Sequence, residues 1–168
     1  MESSPFFSTA SFQLILLAAF LIPAVVFLAT EFSVLKRIRR ENRLLQPGWV
    51  WLQIIPFAGQ IWQFGVVYLI AGSIQKEWLA DGEDSLLGIT HEAARDLKQS
   101  KPTLAIGMAY CALNSLVVFT NLFAHLTGDT AALIAGLLAL ASIICWVIYW
   151  SSLASWNRRL KEKMQPGL

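Results

Sequence analysis

Four long apolar segments dominate this chain of 168 residues and restrict the folds open to it. They cover about residues 12–35, 49–74, 103–126 and 130–153. Each segment exceeds the ~20 residues that an α-helix needs to cross the hydrocarbon core of a bilayer. Charged residues make up only 14% of the chain, whereas a soluble domain carries about 25%. The segments therefore predict an integral membrane protein with a single membrane domain over residues 1–168.

The positive charges indicate how these segments are arranged in the membrane. The thirteen Lys and Arg residues fall in three clusters, at 36–43, 76–101 and 158–163, and the cytoplasmic flanks of membrane helices are enriched in such residues. If all four segments crossed, the first cluster would lie opposite the other two. If the second segment enters and leaves through one side, all the clusters lie in the cytoplasm. Charge placement therefore favours a chain with its N-terminus outside and its C-terminus in the cytoplasm.

The second segment contains the stretch QIIPFAGQIWQ, which is unlike a plain membrane helix. Pro56 lacks an N–H and breaks a helix near its position, and Gly59 is able to adopt the positive φ of a tight turn. Gln53, Gln60 and Gln63 can satisfy the backbone groups that are freed at the break. These residues predict a re-entrant or interfacial helical hairpin broken at the proline. The alternative is a spanning helix with a proline kink.

The predicted fold class is an all-α membrane protein with three transmembrane helices, the hairpin and a short cytoplasmic amphipathic helix. The amphipathic helix is predicted from Thr90 as its N-cap, Glu92 in its first turn and Lys98 near its end. The expected order is a first span at about 12–35, the hairpin at 49–74, a cytoplasmic loop at 75–101, spans at 103–126 and 130–153, and a cytoplasmic tail at 154–168.

Glu31 is an acidic residue inside the first apolar segment, five residues before Lys36. Acids at such depth face the protein or a wet cavity and have a polar partner. The candidate partners are Lys36 and an arginine or glutamine of the hairpin; the alternative is a carboxylate that reaches the lipid headgroups. The candidates for a polar cavity at the hairpin are Gln53, Pro56, Gly59, Gln60, Gln63 and Glu31.

The third and fourth segments carry candidate helix-packing residues. Asn114, Asn121 and His125 are seven and four residues apart, so they share one helical face. Such a stripe is typical of interhelical hydrogen bonds. A transport pathway or a haem ligand is the alternative, although a bis-histidine haem needs a second membrane histidine. Small residues in the fourth segment allow a neighbouring helix to approach closely. The packing candidates are Asn114, Asn121, Ala132, Ala135, Gly136 and Ala139.

The sequence contains no pattern that indicates catalysis, a metal or another cofactor. His91 and His125 are far from each other and from Cys111 and Cys145, and no nucleophile–base set is present. Orientation and contact with anionic lipid headgroups explain the basic clusters. The headgroup-contact candidates are Lys36, Arg37, Arg39, Arg40, Arg43, Arg158 and Arg159. The expected partners are the lipid bilayer and other membrane protein subunits, with no nucleic acid.

The run RRENRLLQPGWVWLQIIPFAGQIWQFGVVYLIAGSI resembles a bacterial integral-membrane family of the domain-of-unknown-function type. The resemblance covers about a fifth of the chain and implies a bacterial inner-membrane setting without implying an activity. The chain departs from the family pattern at Gly59 and Gln60, where relatives resemble Asn-Leu. The residues that carry the resemblance are Asn42, Arg43, Pro47, Gly48, Trp49, Ile55, Pro56, Trp62, Ile70 and Ser73.

Two classes of function remain open from the sequence, and a third is weaker. The first expectation is a non-catalytic accessory or scaffolding subunit of a bacterial inner-membrane complex. The alternative is a small channel, transporter or lipid-handling protein with a polar cavity at the hairpin. A lipid-modifying enzyme would need a carboxylate near the headgroups, which only Glu31 or Glu41 supplies. A cavity that converges on the glutamines would favour the second class.

Overall fold

The computed structural model of the protein describes residues 9–84, 101–122 and 129–163, and every secondary-structure element in these ranges is helical. The all-α prediction is therefore confirmed for the described part of the chain. In chain order the elements are α1 Thr9–Arg37, a 3-10 helix Pro47–Ile54, α2 Ala58–Asp84, α3 Leu104–Leu122 and α4 Asp129–Lys163.

Three helices of the described ranges are long and apolar enough to cross a membrane, which is the number that was predicted. They cover Phe12–Arg37, Leu104–Leu122 and Leu133–Lys163, and no more than 12% of each apolar window is buried inside the protein. Large apolar side chains such as Leu133 (73% exposed) and Leu137 (69% exposed) point away from the bundle. An outer surface of this kind is typical of helices that contact lipid.

Most of the buried core lies where α1, α2 and α4 meet. Gly107 of α3 completes it, because a Cβ on this glycine would lie 2.5 Å from the Val67 side chain and 2.8 Å from the Tyr149 ring. The absence of a side chain at position 107 lets α3 approach both neighbouring helices. The fully buried apolar side chains are Val34, Leu35, Ile38, Val50, Val66, Val67, Ile70, Ala71, Ile74, Cys111, Tyr149, Leu153 and Leu160.

The segment predicted as a hairpin forms two arms that lie side by side. The 3-10 helix is the first arm and the start of α2 is the second. The indole N–H of Trp62 donates to the Trp49 carbonyl at 2.9 Å, and the Leu44 N–H donates to Ser73 Oγ at 2.9 Å. A continuous helix would separate residues 44 and 73 by more than ~40 Å. The contacts pair residues on either side of the break, so the two arms run antiparallel.

The break between the arms occurs at the predicted proline, but Gly59 acts differently from the prediction. Ile55 is extended (ψ 121°), as the residue before a proline prefers. Phe57, not Gly59, takes the positive φ, at 61°, so the predicted backbone role of Gly59 is wrong. Gly59 is needed for close approach instead, because a Cβ there would collide with the backbone carbonyl of Gln53. The glycine lets the two arms touch near their tip.

Two helices extend beyond the predicted boundaries. Helix α2 continues to Asp84, so residues 75–84 of the predicted loop are helical. Helix α4 continues to Lys163, so residues 154–163 of the predicted tail are helical as well. Packing between the two extended helices explains both extensions, because the centres of the Trp78 ring of α2 and the Trp156 ring of α4 lie 5.3 Å apart. The predicted amphipathic helix around Thr90–Lys98, His91 and His125 lie outside the described residues.

The ends of α1, α2 and α4 meet at one end of the bundle, which we call the basic end (residues 36–43 and 158–163). Arg37 Nη1 donates to the Asn157 side chain at 2.7 Å, which joins α1 to α4. The Lys163 ammonium lies 4.4 Å from the centre of the Trp78 ring, which joins α4 to α2. Two of the basic clusters identified in the sequence therefore share one end of the molecule.

Candidate functional site

A cleft of about 450 Å³ opens beside the tip of the hairpin, between the arms and the three span-length helices. Its polar lining comes from the hairpin, α3 and α4, and its apolar walls come from α1 and α4. The polar lining residues are Gln53, Gln60, Gln63, Asn114, Ser142 and Tyr110, and Gly59 is also part of the lining. The structure thus brings together the three glutamines of the predicted polar cavity with the Asn114 of the predicted packing stripe.

The amides form a connected cluster at the base of the cleft. Gln63 Nε2 donates to Gln60 Oε1 at 3.1 Å, and Asn114 Nδ2 donates to the same oxygen at 3.2 Å. Asn114 Nδ2 also lies 3.4 Å from Gln63 Oε1. This pattern leaves Gln60 Nε2 as an unused donor and Asn114 Oδ1 as an unused acceptor within the described residues. The cluster can therefore bind a group that both donates and accepts hydrogen bonds.

Glu31 lies behind the cleft and holds one of its lining residues in place. Gln53 Nε2 donates to Glu31 Oε2 at 2.6 Å, and the Glu31 side chain is 0% exposed. The partner of Glu31 is therefore Gln53, one of the candidate glutamines, and not Lys36, which is exposed. A carboxylate that reaches the headgroups is excluded because the group is fully enclosed by the protein.

Glu31 Oε1 and the buried Tyr149 Oη lie close enough to interact with each other. Neither oxygen makes a hydrogen bond of ordinary geometry to a described residue. Buried polar groups without partners are costly in apolar surroundings. The bond between Glu31 and Gln53 is therefore the one contact that anchors this carboxyl to the hairpin, and it fixes the direction in which the Gln53 amide points.

An aromatic cluster forms the rigid wall of the cleft. The Phe27 ring of α1 contacts Tyr110 of α3 at 6.3 Å and Trp146 of α4 at 5.8 Å, both edge to face. Trp150 Nε1 donates to Thr30 Oγ1 at 3.0 Å and joins α4 to α1 a turn further along. Aromatic pairs in this geometry stabilise by about 0.5–1.5 kcal/mol beyond the area they bury. The wall is thus held by contacts from all three span-length helices.

A cluster around Glu77 joins α2 to the segment that follows α1. Arg39 Nε donates to Glu77 Oε1 at 2.9 Å, and Asn42 Nδ2 donates to Glu77 Oε2 at 2.8 Å. Burial by itself raises the pKa of Glu77, but hydrogen bonds from Asn42 and Arg39 and the charge of Arg39 outweigh it. The pKa of Glu77 therefore lies below its ordinary value, and the group is ionised at neutral pH.

Several predicted site residues lie away from the cleft. Pro56 is exposed at the tip of the hairpin. The Asn121 amide donates to the Val117 carbonyl of its own helix and is exposed, so it joins no second helix within the described residues. A Cβ on Gly136 would meet nothing within 4 Å, so this glycine is not at a close contact among the described residues. Ala135 and Ala139 are half-buried, and the side chain of Ala132 lies outside the described residues.

The headgroup-contact candidates divide into two groups. Arg37 bonds to Asn157, Arg39 bonds to Glu77, and Arg43 bonds to the Ile38 carbonyl. These side chains stabilise the protein's own ends. The remaining members of the predicted set, Lys36, Arg40, Arg158 and Arg159, are exposed.

Sequence reasoning missed the residues that α1 and α4 contribute to the cleft, and it missed Glu77. The signal on α4 was available: Ser142, Trp146, Tyr149 and Leu153 follow at spacings of four, three and four, which places them on one helical face. Glu77 follows Ser73 by one helical turn at the end of an apolar segment. A polar pair at that spacing is typical of a helix face that contacts another polar segment.

No family model, curated protein or solved structure matches this chain. The family resemblance of residues 39–74 therefore stays a prediction. In the described part of the chain no three His, Cys, Asp or Glu side chains are grouped as metal ligands.

Proposed function

We propose that this protein is a non-catalytic integral membrane protein that binds an uncharged amphiphile in the cleft beside its hairpin. The observation that carries the proposal is the pairing of unused amide groups, Gln60 Nε2 and Asn114 Oδ1, with an aromatic wall in one cleft of about 450 Å³. Small-molecule sites combine a largely apolar lining with a few polar groups in this way, in volumes of about 300–1,000 Å³.

The chemistry of the lining defines the class of ligand. Among the described residues that line the cleft there is no acid and no base, so a charged ligand would lose its hydration without gaining a counter-ion from them. A hydroxyl, carbonyl or amide group fits the free donor and acceptor of the cluster. Leu21 and Ile143 are exposed at the mouth, where an apolar chain or ring can continue into the surrounding lipid. The ligand class is a lipid-like molecule with one neutral polar group.

The proposal includes a topology in which residues 49–74 enter and leave the membrane from the cytoplasmic side. The bond between Leu44 and Ser73 supports it, because it brings the entrance and exit of this segment together. The gathering of basic residues at one end supports a cytoplasmic basic end, with the N-terminus outside. The predicted bacterial inner membrane is part of the same proposal. In this topology the glutamines lie at membrane depth, where a lipid-soluble molecule reaches them.

The accessory-subunit function stays a prediction without a specific observation in its favour. The exposed apolar faces of the span-length helices fit contact with lipid as well as contact with a partner subunit. The cleft, in contrast, contains polar groups with which lipid tails cannot form hydrogen bonds. For this reason the lipid-handling function is the better supported of the two expectations.

The experiment is identification of the bound molecule by mass spectrometry after purification of the full chain from membranes in a mild detergent. Ala24 is exposed and lines the cleft, so Ala24→Trp fills the cleft without overpacking the core. Ala19→Trp places the same ring on the same helix at an exposed position outside the lining. We expect a neutral amphiphile in the wild type and in Ala19→Trp, and its loss in Ala24→Trp. Equal content in all three proteins contradicts the proposal.

A second variant tests the polar contact itself. Asn114→Leu keeps a side chain of similar size and removes the unused acceptor together with the bonds to Gln60 and Gln63. We expect retention of the amphiphile to fall about fivefold, because one hydrogen bond is worth about 1 kcal/mol and 1.4 kcal/mol is a factor of ten. Asn121→Leu is the matched control, since Asn121 is exposed and away from the cleft.

A further inference from the structure

A second pocket, of about 650 Å³, lies at the basic end, where the chain passes from α1 to the 3-10 helix. Its lining residues are Arg40, Arg43, Leu44, Gln46, Pro47 and Gly48, none of which lines the cleft. The 3-10 helix separates the two sites: its first residues line this pocket, and Gln53 and Ile54 at its other end line the cleft. The pocket is therefore a distinct site with different chemistry.

Arg43 presents a fixed positive group to this pocket. Its Nη2 donates to the Ile38 carbonyl at 2.9 Å and to the Lys36 carbonyl at 3.3 Å. These carbonyls lie at the C-terminal end of α1, where a cation is favoured by the helix dipole. The Arg43 Nη1 makes no hydrogen bond to a described residue and is not among the enclosed atoms. An arginine anchored in this way has little freedom left to lose when it binds a ligand.

Arg40 supplies a second guanidinium that the protein's described residues leave unpaired. It is exposed and makes no ion pair in the described ranges, whereas its neighbour Arg39 is bound to Glu77 at 2.9 Å. None of the described residues that line the pocket carries a carboxylate. Two positive charges thus face one concave surface without an acid to neutralise them.

The start of the 3-10 helix adds further donors. Gln46 occupies the N-cap position, and its side chain makes no capping hydrogen bond, so its amide is available to a ligand. Gly48 supplies the one unbonded backbone N–H of the first turn, because Pro47 has no N–H and the Trp49 N–H donates to the Gln46 carbonyl at 3.1 Å. A Cβ on Gly48 would meet nothing within 4 Å, so the backbone at this position is open to approach. Helix starts favour anions because of their free N–H groups and dipole.

We propose that this pocket binds a phosphate ester. Arg40 is free to form the two parallel, charge-assisted hydrogen bonds of a guanidinium fork, while Arg43 offers Nη1 and its charge, because its Nη2 donates to two carbonyls. A phosphate between these two arginines also lies within reach of the Gln46 amide and the Gly48 N–H. The same chemistry is offered by the headgroup of an anionic phospholipid and by a soluble phosphate ester. The pocket lies beyond the C-terminal end of a span-length helix, at the level where lipid headgroups lie.

The test uses the full chain, purified in detergent and freed of lipid, with binding measured by native mass spectrometry. The probes are phosphatidylglycerol, phosphatidylcholine and glycerol 3-phosphate. Arg40→Ala removes one guanidinium, and Arg158→Ala is the matched control, because Arg158 is exposed and lies outside the pocket. We expect Arg40→Ala to weaken phosphatidylglycerol binding about tenfold, since a hydrogen bond to a charged group is worth about 1.5–3 kcal/mol. Arg158→Ala keeps the affinity of the wild type.

The probes distinguish the source of the phosphate. Phosphatidylglycerol that binds in the presence of excess glycerol 3-phosphate, with dependence on Arg40, identifies a lipid headgroup site. Glycerol 3-phosphate that displaces the lipid, with the same dependence on Arg40, identifies a site for soluble esters. Gly48→Leu fills the open space above the backbone without touching a charge, and it weakens binding of either probe. Equal losses in Arg40→Ala and Arg158→Ala, or no loss in Gly48→Leu, overturn the proposal.

Discussion

The backbone N–H of Leu44 donates to the hydroxyl of Ser73 at 2.9 Å, although the two residues lie 29 positions apart. The Ser73 hydroxyl in turn donates to the Leu69 carbonyl at 2.7 Å. The adjacent Gly72 allows the approach, because a Cβ there would lie 2.7 Å from the Leu44 side chain. The residues that precede the first arm and end the second are therefore joined, and this arrangement places the glutamines and the cleft beside the span-length helices.

Replacement of Gly59 by alanine is expected to force the two arms apart. The added Cβ would collide with the backbone carbonyl of Gln53, which has no side-chain freedom with which to move away. We expect a loss of about 1–3 kcal/mol, which is typical of overpacking at a close contact. Thermal unfolding in detergent, monitored by size-exclusion chromatography of the protein that remains folded, measures this loss as a lower midpoint temperature.

The control for this variant is Gly136→Ala, where the added Cβ meets nothing within 4 Å. Alanine is the better helix former by about 1 kcal/mol, so this variant is expected to match or exceed the wild type in stability. A Gly59→Ala protein that unfolds at the same temperature as Gly136→Ala contradicts the close approach of the arms.

Replacement of Glu31 separates the role of its hydrogen bond from the role of its charge. Glu31→Ala leaves the half-buried Gln53 amide without its acceptor, which costs about 0.5–1.5 kcal/mol. Glu31→Gln keeps the oxygen that accepts from Gln53 and nearly the same volume, so most of the stability is retained. The unfolding midpoints in detergent measure both effects, and the exposed Glu41→Ala serves as a control. A Glu31→Ala protein as stable as Glu41→Ala would exclude this anchoring role.

The Glu77 cluster predicts a loss of stability in acid. Hydrogen bonds from Asn42 and Arg39 and the Arg39 charge hold the pKa of Glu77 below its ordinary value of 4.5, against the opposing effect of burial. The unfolded chain therefore takes up this proton at a higher pH than the folded chain. Ionised Glu77 contributes its full stabilisation above pH 4.5, and the contribution disappears as the pH falls through the lower folded-state pKa.

Unfolding midpoints of the wild type and Glu77→Gln, measured from about pH 7 to about pH 3, test this dependence. The difference between the two proteins is expected to be constant near neutral pH and to shrink in acid. Glu41→Gln, at an exposed position, controls for the general effect of removing a carboxylate. A difference that stays constant over the whole range would show that Glu77 is not held in its ionised form.

The parts of the fold that follow from local chemistry were predictable from the sequence. Pro56 lacks an N–H and disfavours a continuous helix, and the break lies at this residue. Pro23, in contrast, lies inside α1. Glu31 required a polar partner because it lies in an apolar segment, and the hairpin offered three glutamines, one of which is the partner. The three span-length helices follow from length and composition alone.

The features that depend on packing were not predictable in the same way. A glycine near a helix break is typical of a turn, and this pattern predicts the wrong role for Gly59. The residue is needed because the Gln53 backbone approaches it closely. Helix α2 continues past its apolar segment, where Glu77 accepts a hydrogen bond from Arg39, a residue 38 positions earlier. Prediction of the cleft requires knowledge of which faces of α1 and α4 meet. The aromatic contacts of Phe27 decide this.

The side of the membrane on which residue 76 lies tests the central claim most directly. Single cysteines at Glu41 and Lys76, both exposed positions, and at His125 are labelled with a membrane-impermeant thiol reagent in right-side-out and inside-out vesicles. Cys145 is replaced by serine, and the buried Cys111 is retained. We predict that positions 41 and 76 are labelled from the same side and position 125 from the other. Labelling of position 76 from the side opposite to position 41 would mean that the hairpin segment crosses the membrane, and it would contradict the account.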